Sequence, residues 1–268
     1  MTTLGIAART VVLTAEARAK AHASRAMAAA WGAGAIDWRF DAVMPDTPAR
    51  PLHPELLPPG RMRKRGKAGS IRSRIALLHA VAHIELNAID LAWDMVGRFG
   101  AEFPRAFADD WVRVADDEAR HFLMVADRLG ELGAAYGDLP AHDGLWQAAA
   151  ATAGDVMARL AVVPQVLEAR GLDVTPAMAE RIATAGDARS AEILNQIYAD
   201  EIGHVRTGNF WFRSACDSNG SSPARTFRAL VQTYFRGQLK PPFNDLARAT
   251  AGMTPDFYRD LPAAHSVA

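Results

Sequence analysis

Two copies of a Glu-x-x-His motif constrain what this chain can fold into more than any other feature of its sequence. Glu118 and His121 form the first copy, and Glu201 and His204 form the second. Residues three apart share a helix face, so each copy can present one carboxylate and one imidazole to the same point. A single such motif arises often by chance, and the spacing of the two copies therefore carries the argument.

A further glutamate precedes each copy at the same distance. Glu85 lies 33 residues before Glu118, and Glu168 lies 33 residues before Glu201, so the two halves are offset by 83 residues at all three positions. Glu85 and Glu168 also lie on apolar helical stripes. Such an internal repeat predicts two αα-hairpins related by a pseudo-two-fold axis. The alternative is that six solvated or ion-paired helix residues are evenly spaced by accident.

The chemistry of these residue types points to metal ions. A carboxylate on an apolar stripe is costly to bury unless it is paired or bound to a metal. Four inward-facing carboxylates would repel one another, and two divalent cations would neutralise that charge. Carboxylate and imidazole ligands without a thiolate suit iron or manganese better than structural zinc. The predicted ligands are Glu85, Glu118, His121, Glu168, Glu201 and His204, and the predicted cofactor is a pair of iron ions, with a manganese–iron pair equally compatible.

The rest of the chain is predicted to be helical. Alanine makes up about a fifth of the residues, and strand-like runs of Val, Ile and Thr are scarce. Apolar periodicity predicts helices at about 14–31, 71–97, 104–133, 144–170 and 187–216, with a bend at Pro164 and a short helix after Thr175. Six prolines between Met44 and Gly60 predict an extended connector. We expect an N-terminal helix with a Pro-rich, basic connector over 1–70, a helical bundle over 71–216 and a C-terminal helical extension over 217–268.

Several segments resemble the ferritin-like di-iron superfamily, most closely the bacterial ferritin-like family catalogued as domain of unknown function 455. They are His79–Glu85, Asp116–His121, Tyr136–Asp143, Leu167–Leu172, Tyr198–His204 and Leu239–Asn244, within a match over about residues 70 to 255. The resemblance implies an all-α, ferritin-like four-helix bundle with a carboxylate-bridged di-metal centre, and no particular substrate. The first Glu-x-x-His copy is also similar to the Asp-Glu-x-Arg-His signature of di-iron monooxygenases, whereas the second copy has Gly203 in place of the arginine.

Composition argues against several classes of partner, site and location. The 30 basic and 30 acidic residues cancel, which argues against a nucleic-acid partner. The single cysteine, Cys216, excludes a disulfide framework and a multi-cysteine metal site. No apolar run reaches about 18 residues and no signal-peptide pattern is present, so we expect no membrane span and a cytoplasmic location.

The expected function is that of a di-iron oxidoreductase that activates O₂ to oxidise or hydroxylate a small organic substrate. Such an enzyme needs an electron donor, which the sequence does not identify, and a homodimer is compatible with a bundle of this kind. Three alternatives stay open. They are a ferroxidase or iron-storage protein, a tRNA-modifying hydroxylase supported only by the basic run from Arg61 to Arg74, and a helical scaffold without activity.

Other polar and aromatic residues have both a structural and a functional interpretation. His79 and His83 could bind metal as a pair four residues apart, but they lie on a different face from Glu85, so a structural role is favoured. For Tyr198 a packed position is favoured over a proton relay, and for His142 stabilisation of a turn is favoured over substrate binding. Core positions are expected for Cys216, Trp111, Trp146 and Trp211.

Asp117 and Asp200 immediately precede the glutamates of the two motifs. A metal-bound histidine usually donates its other ring N–H to a carboxylate. We therefore expect each aspartate to accept a hydrogen bond from a ligand histidine on the opposite helix, without itself binding the metal.

Asp200→Ala should weaken iron retention, by about 10- to 100-fold in affinity, because a ligand ring would lose its orienting partner. Iron per chain after desalting and the absorption spectrum of the iron-loaded protein measure the effect. Unchanged stoichiometry together with an unchanged spectrum would contradict this role.

Overall fold

The computed structural model describes residues 2–62 and 68–259, and the chain there is mostly helical, which confirms the expected all-α class. Two short strands, β1 (Thr2–Thr3) and β2 (Ile36–Asp37), pair in parallel. The chain forms two compact units. Unit 1 comprises Met1–Trp146 and Arg181–Ile193, and unit 2 comprises Gln147–Glu180 and Leu194–Ala268. The domain boundaries predicted at residues 70 and 216 stay predictions.

Unit 1 is built on four helices. They are α1 (Leu4–Val12), α2 (Ala17–Gly32), α3 (Ile71–Phe99) and α4 (Arg105–Glu131), with 3₁₀ turns at Pro59–Arg61 and Gly100–Glu102. Helix α3 packs along α4 and α1, and α2 packs on α4. The predicted N-terminal helix corresponds to α2, and Glu16 caps it by accepting hydrogen bonds from two backbone N–H groups.

Helix α3 is the longest helix of unit 1 and forms much of its core. A capping box formed by Ser70 and Ser73 starts it, and Gly100 ends it. By length and composition alone, the segment Ile71–Glu102 could cross a membrane, but 72% of its most apolar window is buried inside the protein. This burial is typical of the core helix of a soluble protein.

The remaining helices follow in chain order. They are α5 (Gly144–Ala151), α6 (Val156–Val162), a π-helical turn (Val163–Glu168), α7 (Ala169–Thr184), α8 (Ala188–Ser218), α9 (Pro223–Tyr234), α10 (Asp245–Thr250) and α11 (Pro255–Tyr258). The single helix predicted over 144–170 was wrong, because the chain turns before Asp155 and this residue caps α6 by accepting a hydrogen bond from Ala158 N. Within unit 2, α6 packs on α9, and α9 packs on α11.

The helix expected to start after Thr175 was also predicted wrongly, since α7 continues through Pro176. A proline inside a helix has no N–H for the carbonyl four residues earlier. Here that carbonyl belongs to Leu172, and Asn244 Nδ2 donates to it at 3.2 Å. The other end of the same amide, Asn244 Oδ1, accepts from Ala247 N and caps α10. The Asn244 side chain thus supplies the hydrogen bond that α7 lacks at Pro176 and also caps the N-terminus of α10.

A buried ion pair between Lys20 on α2 and Asp90 on α3 lies inside unit 1, and both side chains are 1% exposed. Lys20 Nζ also donates to the carbonyl oxygens of Val12, at 3.2 Å, and Ala49, at 3.0 Å. Burial lowers the pKa of Lys20 and raises that of Asp90 to about 6. The ammonium group therefore joins the end of α1 and the connector to the two helices.

Lys20→Met should lower the free energy of unfolding by about 3–5 kcal/mol, because it leaves the Asp90 carboxylate buried without its counter-ion. The double variant Lys20→Met/Asp90→Leu should recover most of that loss, since it buries no charge. Urea denaturation of the two variants and the unmodified chain measures both values. A double variant as unstable as the single one would contradict the account.

Candidate metal centre

Three of the predicted ligands meet in unit 1. Glu85 lies on α3, and Glu118 and His121 lie one turn apart on α4, and all three are buried. Each offers one ligand atom, and these atoms lie within 4.8 Å of one another. His121 Nδ1 is 3.2 Å from Glu85 Oε2 and 3.5 Å from Glu118 Oε2. We refer to these residues as half-site 1.

The electrostatics of half-site 1 favour a cation. Burial and, after it, the neighbouring Glu118 carboxylate raise the pKa of Glu85 to about 7, while His121 opposes the rise. Two carboxylates and one imidazole nitrogen form a donor set that suits iron, manganese or zinc. A divalent cation would balance both carboxylates, so the residues present fit a metal ion.

Unit 2 contains the other three predicted ligands, which we call half-site 2. Glu201 and His204 lie one turn apart on α8, both are buried, and His204 Nδ1 is 3.7 Å from Glu201 Oε2. Glu168 is the last residue of the π-helical turn and is half-buried. The structure thus brings Glu201 and His204 together, and their ligation of a metal with the other four residues stays a prediction.

Pro164 accounts for the π-helical turn that carries Glu168. Its nitrogen has no hydrogen for the Leu160 carbonyl, and Gln165 Nε2 donates to that carbonyl instead, at 3.1 Å. The proline ring also needs space on α8, where a Cβ atom at Gly208 would lie 2.3 Å from Pro164 Cβ. π-helical turns inside α-helices occur frequently at functional sites. The sequence indicated a bend at Pro164, but not the side chain that compensates for it.

The two aspartates next to the motifs have partners on their own helices. Asp117 accepts a hydrogen bond from Arg120 at 2.6 Å, and Asp200 accepts one from Gln196 at 3.0 Å. Their expected role in orienting ligand histidines stays a prediction.

His79, His83 and His142 stabilise a loop of unit 1, as expected. His79 Nε2 accepts from Gly137 N at 3.0 Å, and His83 Nδ1 is hydrogen-bonded to the Tyr136 hydroxyl at 2.9 Å. Burial lowers the pKa of His83 to about 4, so its ring stays neutral at physiological pH. His142 Nδ1 accepts from Gly144 N at 3.2 Å, which confirms a turn-stabilising role.

The remaining candidates occupy structural positions. Tyr198 is half-buried, and its hydroxyl accepts a hydrogen bond from Asn244 Nδ2 at 3.2 Å. Core positions are confirmed for Cys216, Trp111, Trp146 and Trp211. In the basic run, residues 63–67 lie outside the described residues, and Arg74 donates to the Ala185 carbonyl oxygen at 3.0 Å.

Residues 13–259 match the family described as "Protein of unknown function (DUF455)". The chain belongs to this family. A curated relative, an uncharacterized protein of Haemophilus influenzae, is 43% identical to this DUF455 chain over 212 residues, which cover 77% of this chain and 73% of the relative. No solved structure matches the chain. The DUF455 part of the resemblance is confirmed, and likeness to the wider ferritin-like superfamily stays a prediction.

Gly208→Ala should destabilise the protein by about 1–3 kcal/mol and reduce metal retention, because the added methyl group would push Pro164 and the turn that carries Glu168. Gly203→Ala on the same helix is the matched control. A Cβ atom at Gly203 meets nothing within 4 Å, so alanine should stabilise the helix by about 0.5–1 kcal/mol. Thermal unfolding and iron per chain measure both effects, and equal behaviour of the two variants would contradict the packing argument.

Proposed function

We propose that this DUF455 chain is a di-iron carboxylate oxidoreductase that activates O₂ to oxidise or hydroxylate a small organic substrate. The observation that carries the proposal is half-site 1, where the ligand atoms of two buried carboxylates and an imidazole lie within 4.8 Å of one another. Its proposed setting is a ferritin-like four-helix bundle over residues 71–216. The proposed ligands are Glu85, Glu118, His121, Glu168, Glu201 and His204.

Half-site 2 supports a dinuclear centre over a single metal ion. It repeats the donor types of half-site 1, with one glutamate on a preceding helical segment and a Glu-x-x-His pair on the following helix. The offset of 83 residues at all three positions ties the two sets of donors together in sequence. One Glu from each of two helices and Glu-x-x-His from each of the other two is the ligand pattern of di-iron carboxylate bundles.

The residues of unit 1 supply binding, orientation and exclusion of water. Glu85 and Glu118 provide anionic oxygens, and His121 provides a neutral nitrogen ligand. Water is excluded by fully buried side chains on α3 and α4, among them Leu78, Ala82, Ile89, Ala115 and Phe122. Charge interactions are stronger in such surroundings than in water. When bound, a pair of ferrous ions would supply the electrons for the reduction of O₂.

The partners of such an oxidoreductase are O₂, a small organic substrate and an electron donor that returns the centre to the reduced state. A manganese–iron pair would use the same ligand types as two iron ions. A ferroxidase or storage role on the same ligands is the alternative, and the amount of iron taken up separates it from an enzyme centre.

The test loads the purified full chain with excess ferrous iron without oxygen, removes free iron and then admits air. We expect about two irons per chain and rapid O₂ consumption on mixing. Glu118→Ala and Glu201→Ala should each abolish both, whereas Glu180→Ala, which removes an exposed glutamate of α7, should change neither. Inductively coupled plasma mass spectrometry and an oxygen electrode are the measurements.

Three outcomes would contradict the proposal. Hundreds of irons per assembly would indicate storage. Two irons without O₂ consumption would indicate a metal protein of another class. A chain that retains no iron, manganese or zinc would refute the ligand set.

A further inference from the structure

Gln165 is a buried polar side chain that the proposed ligand set does not use. It is fully buried in unit 2, at the third position of the π-helical turn. Its Nε2 donates to the Leu160 carbonyl at 3.1 Å. This bond determines which terminal atom of the amide is the nitrogen, because the flipped amide would place its oxygen against the carbonyl oxygen of Leu160.

The oxygen end of that amide is the unusual one. Gln165 Oε1 is buried and has no hydrogen-bond partner among the described residues. A buried acceptor without a donor is costly, so the great majority of such groups in proteins are satisfied. A donor that satisfies Gln165 Oε1 would therefore come from outside the described residues.

Asn244 also donates to a carbonyl that a proline leaves without a backbone donor, and yet its amide oxygen has a hydrogen-bond partner. Asn244 donates to the Leu172 carbonyl that Pro176 cannot serve, and its own oxygen accepts from Ala247 N at 3.1 Å. The internal repeat gives a second comparison. Ala82 lies 83 residues before Gln165 and is also fully buried, so half-site 1 has a methyl group where half-site 2 has an amide.

Gln165 and Glu168 lie three residues apart in the same π-helical turn. We propose that Gln165 is a positioning residue of half-site 2, whose Oε1 accepts a hydrogen bond from a hydroxylic molecule held beside Glu168. The inference rests on the metal binding proposed above. An amide oxygen accepts hydrogen bonds and cannot donate them, so its partner must be a donor, and water and an organic hydroxyl both qualify.

The experiment compares the full chain with its Gln165→Leu variant, using Co(II) as the probe metal. Without metal, Gln165→Leu should lower the melting temperature less than Asn244→Leu does, because it removes the unpaired acceptor together with the donor to the Leu160 carbonyl. With Co(II) alone, its affinity should fall by about 10- to 100-fold and the visible Co(II) spectrum should shift, if water is the donor. If an organic hydroxyl is the donor, the difference should appear when ethanol is titrated into the Co(II) forms. Gln165→Met, of similar length, gives the same comparison should the leucine variant fail to fold.

Asn244→Leu is the matched control. It removes the equivalent amide at Pro176, so it should lower the melting temperature of the metal-free protein and leave the Co(II) spectrum unchanged. The inference is overturned if Gln165→Leu and Gln165→Met behave like the unmodified chain in both arms, or if Asn244→Leu shifts the spectrum equally. An unmodified chain that binds no Co(II) or Fe(II) would instead overturn the proposed function, and this inference with it.

Discussion

The repulsion between two buried carboxylates, those of Glu85 and Glu118, is the constraint on which the rest of unit 1 depends. Both are buried where α3 packs along α4, and burial together with the Glu118 carboxylate raises the pKa of Glu85. His121 offers one compensating partner at 3.2 Å and 3.5 Å. An imidazole alone is a modest counterpart for two carboxylates, whereas a divalent cation balances them fully. The length and apolar surface of α3 and α4 are what hold such a costly group together.

The constraint in unit 2 is the loss of two backbone N–H donors, because two prolines lie in the helical segment around Glu168. At Pro164 the helix widens into a π-helical turn, and at Pro176 it continues as an α-helix. In both places a side-chain amide donates to the carbonyl that the proline leaves without a backbone partner. The first repair lies within the turn, whereas the second comes from the C-terminal segment and so ties that segment to α7. The hydrogen bond from Asn244 to the Leu172 carbonyl thus connects the C-terminal segment to the helix that follows Glu168.

The sequence predicts the long helices well, because α3, α4 and α8 have apolar stripes of many turns and clear ends. It also predicts that Glu85 joins Glu118 and His121, since equal spacing in two halves is a strong signal. It does not reveal that α7 passes through Pro176, because the compensating Asn244 lies 72 residues from Leu172 and is recognisable only in three dimensions. The role of the Gln165 amide is hidden for a related reason. Its partner, the Leu160 carbonyl, is close in sequence, but the sequence does not indicate to which carbonyl a glutamine on an apolar stripe donates its hydrogen bond.

Membership of the DUF455 family places the buried glutamate–histidine group in a family without an assigned function, so the metal itself is the decisive observation. The most direct measurement is X-ray diffraction at the iron absorption edge from crystals grown with ferrous iron. The account predicts two anomalous peaks within coordination distance of the Glu85–Glu118–His121 and Glu168–Glu201–His204 side chains. Iron peaks elsewhere, with none beside these six residues, would contradict it.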